Sequence, residues 1–184
     1  MGVVKPVSLE SAAGEQLETG KFIYGRLGGR LNGPSAIYLH NPGFARIFDE
    51  IRAYFAAGGG LSLSPRIAEL CMLITVRFWS AKYAWALHAV AGVKAGLSED
   101  IVEALRNEQR PDFTKEDEEA VYDFVSATLE RRPISEAVQK KAMDQLGEVG
   151  LVELISVCGI YSLVGQTCTV FDIELPDGES SPFD

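Results

Sequence analysis

The chain has 184 residues and a mass of 20.0 kDa, the length of one domain or of two small halves sharing one core. With 47% hydrophobic and 23% charged residues it can bury a sizeable core, which excludes disorder for the bulk of the chain. A net charge of −9 and a pI near 4.8, with no basic cluster beyond the isolated pairs Arg131-Arg132 and Lys140-Lys141, disfavour nucleic acid and anionic membranes as partners.

Residues 1 to about 18 read as a loose lead-in, and a short helix over Glu15 to Leu31 is weakened by Gly20, Gly25, Gly28 and Gly29. The chain turns at Asn32-Gly33-Pro34-Ser35. A helix near 42–57 follows, with Pro42 in its first turn and Phe44, Ile47, Phe48, Ile51, Tyr54 and Phe55 at helical spacing; Gly58-Gly59-Gly60 ends it. Ser64 is placed as the N-cap of a helix over Pro65–Phe78 that is apolar over most of its circumference and therefore central. Ser80 is expected to cap a second helix from about Ala81 to Ala95, which Gly96 stops, and Ser98 opens a third. Thr114 with Asp117 resembles a short-acid capping box before a helix over about 115–131. Ser135 opens another helix ending near Gly147.

The stretch from Leu151 to Phe171 is long enough to cross a bilayer, but it contains Glu153 and Gln166 and has acidic flanks, so it reads as a buried core helix. The tail from Leu175 is turn-rich and extended. No strand alternation is present, and Ala68-Glu69-Leu70 and Val152-Glu153-Leu154 form a faint internal repeat. The expectation is a single all-α domain over 1–184, with 1–18 and 175–184 as loose tails.

Cys71, Cys158 and Cys168 each sit in an apolar run and no CxxC pair occurs, which suits buried reduced thiols of a cytoplasmic protein. The N-terminus has no apolar stretch of the secretory type. Two histidines and no H-x-x-x-H or E-x-x-H pair leave too few ligands for a closed zinc site, and without strands there is no phosphate loop. No metal and no organic cofactor is expected.

Two residues stand out chemically. His88 lies mid-helix in a stripe of small residues (Ala81, Ala84, Ala91, Gly92, Ala95), which leaves room for another helix or a ligand; its structural alternative is a core histidine bonded to a backbone carbonyl. Glu69 lies in an otherwise apolar helix, where an ionised carboxylate needs a partner; a salt bridge to Arg66 or Arg77, or exposure on a narrow polar stripe, are the alternatives to His88. A very short link joins the two helices, so an acid early in the first and a histidine midway along the second can face one another.

These residues carry a resemblance. Pro65-Arg66-Ile67-Ala68-Glu69-Leu70, then Lys82-Tyr83-Ala84-Trp85-Ala86-Leu87-His88, then Ala95-Gly96-Leu97-Ser98 resembles the carboxymuconolactone decarboxylase / alkylhydroperoxidase-D-like family, with its R-x-x-E-L, Y-x-W-x-x-x-H and A-G-L elements. Leu39-His40-Asn41-Pro42 and Leu175-Pro176-Asp177-Gly178 are similar to flanking elements of that family. The resemblance implies an alkylhydroperoxidase-D-like helical bundle, assembly into dimers, trimers or hexamers with the site near a subunit boundary, and a role in aromatic-compound catabolism. The chain departs from the peroxidase branch, whose two cysteines correspond to Ala81 and Ala84. Without vicinal thiols a CxxC-dependent peroxidase is not expected. Tyr-x-Trp members often carry Glu where this chain has Ala84.

The resemblance then implies a lyase that decarboxylates a small lactone or ring-cleavage acid. His88 would supply or position the proton, and Glu69 would bond the imidazole and set its tautomer, or share the acid role. Tyr83 and Trp85, with Phe78, would wall the pocket or simply pack. Arg66 or Arg77 would hold an oxyanion or a second carboxylate, or stay on the surface, and His40 would line the pocket or cap the helix opened by Pro42. Two other readings stand beside this one. A decayed oligomerisation or binding module would have a backbone-satisfied His88 and no cavity. Residual redox work would run through Cys71.

Overall fold

A computed structural model describes residues 2–176 and 180–183, and among these all regular structure is helical: α1 (Gly14–Arg26), α2 (Gly33–Tyr38), α3 (Pro42–Phe55), α4 (Pro65–Phe78), α5 (Lys82–Lys94), α6 (Glu99–Arg106), α7 (Glu116–Leu129) and α8 (Glu136–Val170). The apolar α4 is the hub. It packs against α5, α7 and α8, and α6 bridges α4 and α5. The first three helices form a second layer in which α3 packs on α1 and α2, and α2 reaches α8. There the buried Tyr38 hydroxyl and Thr167 Oγ1 share a hydrogen bond of 2.8 Å. One continuous core runs from Val7 through Leu70, Leu73 and Val76 to Leu154, Val157 and Cys168.

Local chemistry explains most boundaries. The hydroxyls of Ser64, Ser98 and Ser135 accept the backbone N–H groups of Ile67, Ile101 and Val138, which satisfies a donor that each helix start leaves free. Gly96 stops α5 with φ +103, while the N–H groups of Gly96 and Leu97 return to Val93 and Gly92. Gly147, at φ 67 and ψ 177, breaks α8 into two limbs where the sequence places a helix end.

Several expectations are corrected. Ser80 does not cap α5. It takes φ +51 and closes α4, with its N–H bonded to Arg77 O and that of Ala81 to Val76 O, so α5 starts without a side-chain cap. The Thr114–Asp117 box does not form either. Lys115 is the N-cap of α7, and Asp117 is drawn to Arg66 instead. The turn at 32–35 continues into the short helix α2, with Pro34 in its first turn. The residues before α1 are tied down, since Val7 is buried and its N–H bonds Ala36 O. Leu175-Pro176-Asp177-Gly178 lies partly outside the described residues, but Phe183 beyond it packs edge-on against Trp85. By length and composition α8 alone among the described helices suffices to cross a membrane. Its inward face carries Leu154, Val157, Val164 and Cys168, while Val149, Val152 and Ile155 face outward.

Candidate active site

α4 and α5 are joined by only three residues and run side by side. Gly92 lies in the contact, where a Cβ would stand 3.0 Å from Leu97 and 3.1 Å from Leu73, both side-chain ends, and 3.8 Å from Glu69 Cβ. One turn before Gly92, His88 Nδ1 lies 2.8 Å from Glu69 Oε2, and each side chain is 18% exposed. A carboxylate accepts only, so Nδ1 carries the proton and Nε2 is left as the basic nitrogen. Among the described residues Nε2 has no partner. The Tyr161 ring from α8 stands edge-on to the imidazole, with centroids 4.9 Å apart. Burial, and then the negative charge of Glu69, push the Tyr161 hydroxyl well above its ordinary pKa, with Arg52 opposing. Tyr161 therefore stays protonated at neutral pH.

His88 and Tyr161 open onto a cavity of about 160 Å³ where α2 and α3 close over α5 and α8. Phe48, Arg52 and Phe55 line it from α3, Tyr83, Ala84, Leu87 and His88 from α5, and Ile160, Tyr161 and Val164 from α8. Asn32, Pro34 and Ser35 complete it at the start of α2, and Leu27 just after α1. The walls are mainly apolar, with a few polar tips, the usual make-up of a small-molecule site.

The structure brings together three of the residues singled out from the sequence, Glu69, His88 and Tyr83. The other four lie elsewhere. Trp85 is buried on the flank of α5, edge-on to Phe183 at 5.7 Å. Arg66 clasps α7 through Asp117 at 2.6 Å and through the buried Glu118, so it is committed to joining α4 and α7. Arg77 is two turns beyond Glu69, with its Nε donating to Arg106 O and its guanidinium over Phe183. His40 is exposed and its Nε2 donates to Lys5 O, while Asn41, not His40, caps α3. Phe78 is exposed at the far end of α4 and does not line the cavity. In place of these, the walls contain Arg52, Phe48, Phe55 and Tyr161. Arg52 interrupts the apolar stripe of α3, which is the mark by which a sequence reading finds it. Tyr161 carries a polar tip in the apolar run of α8.

None of the three cysteines lines the cavity. All are buried. Burial raises each thiol, Cys168 to about 12 and Cys71 well above its ordinary value, so none is a thiolate at neutral pH. Ala84, where the resemblance places a cysteine in the peroxidase branch, is on the cavity wall. No group of three or more metal-ligating side chains is present among the described residues.

No protein-family model matches the chain, and no curated protein matches it. Solved structures do. An uncharacterized peroxidase-related protein from Silicibacter sp. TM1040 matches with a TM-score of 0.73 and 14% identity, over 95% of this chain and 93% of its own. A Cys-to-Ala variant of the debrominase Bmp8 in complex with 2,3,4-tribromopyrrole matches with a TM-score of 0.72 and 16% identity, over 99% and 94%. The apo debrominase gives 0.71 and 16%, over 98% and 94%. At these identities the likeness establishes the fold. It is the helical fold of carboxymuconolactone decarboxylase / alkylhydroperoxidase-D-like proteins, in agreement with the sequence motif.

Proposed function

We propose that the protein is an enzyme that uses the His88–Glu69 pair for acid–base chemistry on a small lactone or ring-cleavage carboxylic acid, by decarboxylation. The observation that carries this reading is the 2.8 Å contact between the two side chains at the edge of an apolar, ring-sized cavity. In such a reaction the carbon–carbon bond to the departing carboxylate breaks and CO2 leaves. The electron pair passes into a dienolate, and a proton that His88 Nε2 has first taken up from solvent, giving the imidazolium, is delivered to carbon, which returns Nε2 to its basic form. Glu69 keeps Nδ1 protonated and steadies the imidazolium before that transfer. The apolar walls favour a charged carboxylate becoming neutral CO2. That a debrominase of the same fold was solved with a halogenated pyrrole supports a one-ring ligand in this fold.

The decayed-scaffold reading calls for a His88 satisfied by backbone and no cavity beside it; the Glu69 contact and the adjoining cavity support the enzyme reading over it. Thiol chemistry has no accessible sulfur here. The buried reduced cysteines suit a cytoplasmic protein, and the exposed Leu87, Val90 and Val93 of α5 support a homo-oligomer whose interface lies near the cavity.

The test is turnover of a panel of lactone acids, followed by CO2 release, with His88→Ala and Glu69→Gln as controls. Activity that needs both residues sustains the proposal. Absence of turnover across the panel, or activity unchanged in His88→Ala, ends it.

A further inference from the structure

Arg52 carries the single guanidinium among the cavity-lining residues. It shares a face of α3 with Phe48 and Phe55, at four and three residues' distance. Its Nε and Nη2 both donate to Asp49 Oδ1, at 3.1 and 2.7 Å. Asp49 is itself 1% exposed, and its second oxygen lies 3.1 Å from Arg26 Nε without hydrogen-bond alignment. One buried carboxylate thus stands between two guanidiniums, and the second partner of Arg26, Glu50, is out in solvent. Asp49 is thus shared between the two guanidiniums, while Arg26 takes Glu50 as a second carboxylate and Arg52 has Asp49 alone. A guanidinium has five N–H donors in a rigid fork. Here Asp49 occupies one edge of that fork, and Nη1 has no acceptor among the described residues.

A guanidinium held by a buried acid, with unspent donors against apolar walls, is built to receive a planar oxyanion. A carboxylate fits the fork best. The free volume limits what can carry it, since an apolar cavity of roughly 150 Å³ takes about one benzene ring. We propose that Arg52, positioned by Asp49, anchors the carboxylate of a one-ring acid in this cavity. The assignment rests on the acid–base reading only in placing the reacting carbon toward His88. If that reading holds, the anchored group is one the product keeps. An ion pair to a departing carboxylate weakens as it becomes CO2, and so stabilises the ground state more than the transition state. Arg52 then acts on binding and orientation.

The experiment uses the full chain and two probes of equal shape, benzoate and benzamide, with affinities read by isothermal titration at pH 7. The expected result is a preference for benzoate of about tenfold to a hundredfold, the range of a charge-assisted hydrogen-bonded pair. Arg52→Gln is expected to abolish the preference and Arg52→Lys to keep part of it. Equal binding of the two probes, binding of neither, or a preference that survives Arg52→Gln overturns the anchor. The comparison on the unaltered protein does not depend on any variant folding. An Arg52-dependent preference without turnover of any lactone acid keeps the anchor and removes the acid–base reading. His88-dependent turnover without a benzoate preference does the reverse. Where turnover is present, Arg52→Gln is expected to raise KM more than it lowers kcat.

Discussion

His88 Nδ1 and Glu69 Oε2 are 2.8 Å apart on helices joined by three residues, which run side by side with Gly92 in their contact. The carboxylate's place in a largely apolar helix is explained by this bond. Replacing His88 by Ala is expected to lower kcat by about a hundredfold to ten-thousandfold, the usual worth of a positioned proton donor. Glu69→Gln keeps a hydrogen-bonding side chain but removes the charge that steadies the imidazolium. It is expected to lower kcat by a smaller factor and to shift the pH–rate profile, which steady-state kinetics across pH 5 to 9 will read.

Gly33 holds the cavity's other end in place. It sits at φ +57, and a Cβ on it would come within 2.4 Å of the Tyr83 ring. Gly33→Ala therefore meets two obstacles, a left-handed backbone costing roughly 1–2 kcal/mol for a residue with a Cβ and a ring that must move. The expected outcome is a lower Tm together with weakened ligand binding, checked by thermal melts with and without benzoate. A variant with unchanged melting would show that the turn relaxes freely.

Much of this was legible because it is local. Ser64, Ser98 and Ser135 announce helix starts through an oxygen three residues before the N–H they cap, and the Glu69-to-His88 pairing follows from two adjacent helices with a short link. What stayed hidden depends on distant packing. Arg52 and Tyr161 each leave a mark, a charge in an apolar stripe and a polar tip in an apolar run, but only the docking of α2 and α3 over α5 and α8 makes them neighbours. Trp85 misled for a rotational reason: Ala84, Leu87 and His88 define the cavity face of α5, and Trp85 falls to its side. Ser80 misled because serine is a good N-cap, whereas here the C-terminal closure of α4 claims it.

The three thiols offer a check on chemistry. Burial raises all of them, so at pH 8 they are protonated as well as inaccessible. Iodoacetamide is expected to leave the native protein unlabelled over an hour and its activity intact, with three sites labelled only after denaturation. Rapid loss of activity on alkylating the unaltered protein would restore a role for Cys71.

Glu153 links acidity to stability. Burial alone would raise its pKa, but the backbone N–H and hydroxyl of Ser62 and the N–H of Leu63 all donate to its carboxylate and bring it below the ordinary value. A depressed pKa means that the folded state holds the charged form more firmly than the unfolded chain does. The contribution is complete above the unfolded carboxylate range and is lost as pH falls from that range through the lower folded value. The unaltered protein should melt higher than Glu153→Gln at pH 7, and the gap should close across that window. A gap that stays constant from pH 7 to pH 3 would show that the carboxylate contributes only through neutral hydrogen bonds.

The exposed face of α5 bears on assembly. Leu87, Val90 and Val93 are 45%, 53% and 38% exposed, and their spacing of three keeps them on one side of the helix, with Leu87 also at the cavity. Aliphatic side chains grouped beside a binding cavity favour burial against a second copy, since about 25 cal/mol is gained per Å² of apolar surface removed from water. Size-exclusion chromatography with light scattering is expected to give a multiple of 20.0 kDa, and Val90→Glu to shift the distribution toward the monomer by placing a charge in the contact. Because Leu87 touches the cavity, the same substitution is expected to weaken benzoate binding if the assembled form shapes the site. A clean 20.0 kDa particle for the unaltered chain would show that this face is solvated and that the cavity works within one copy.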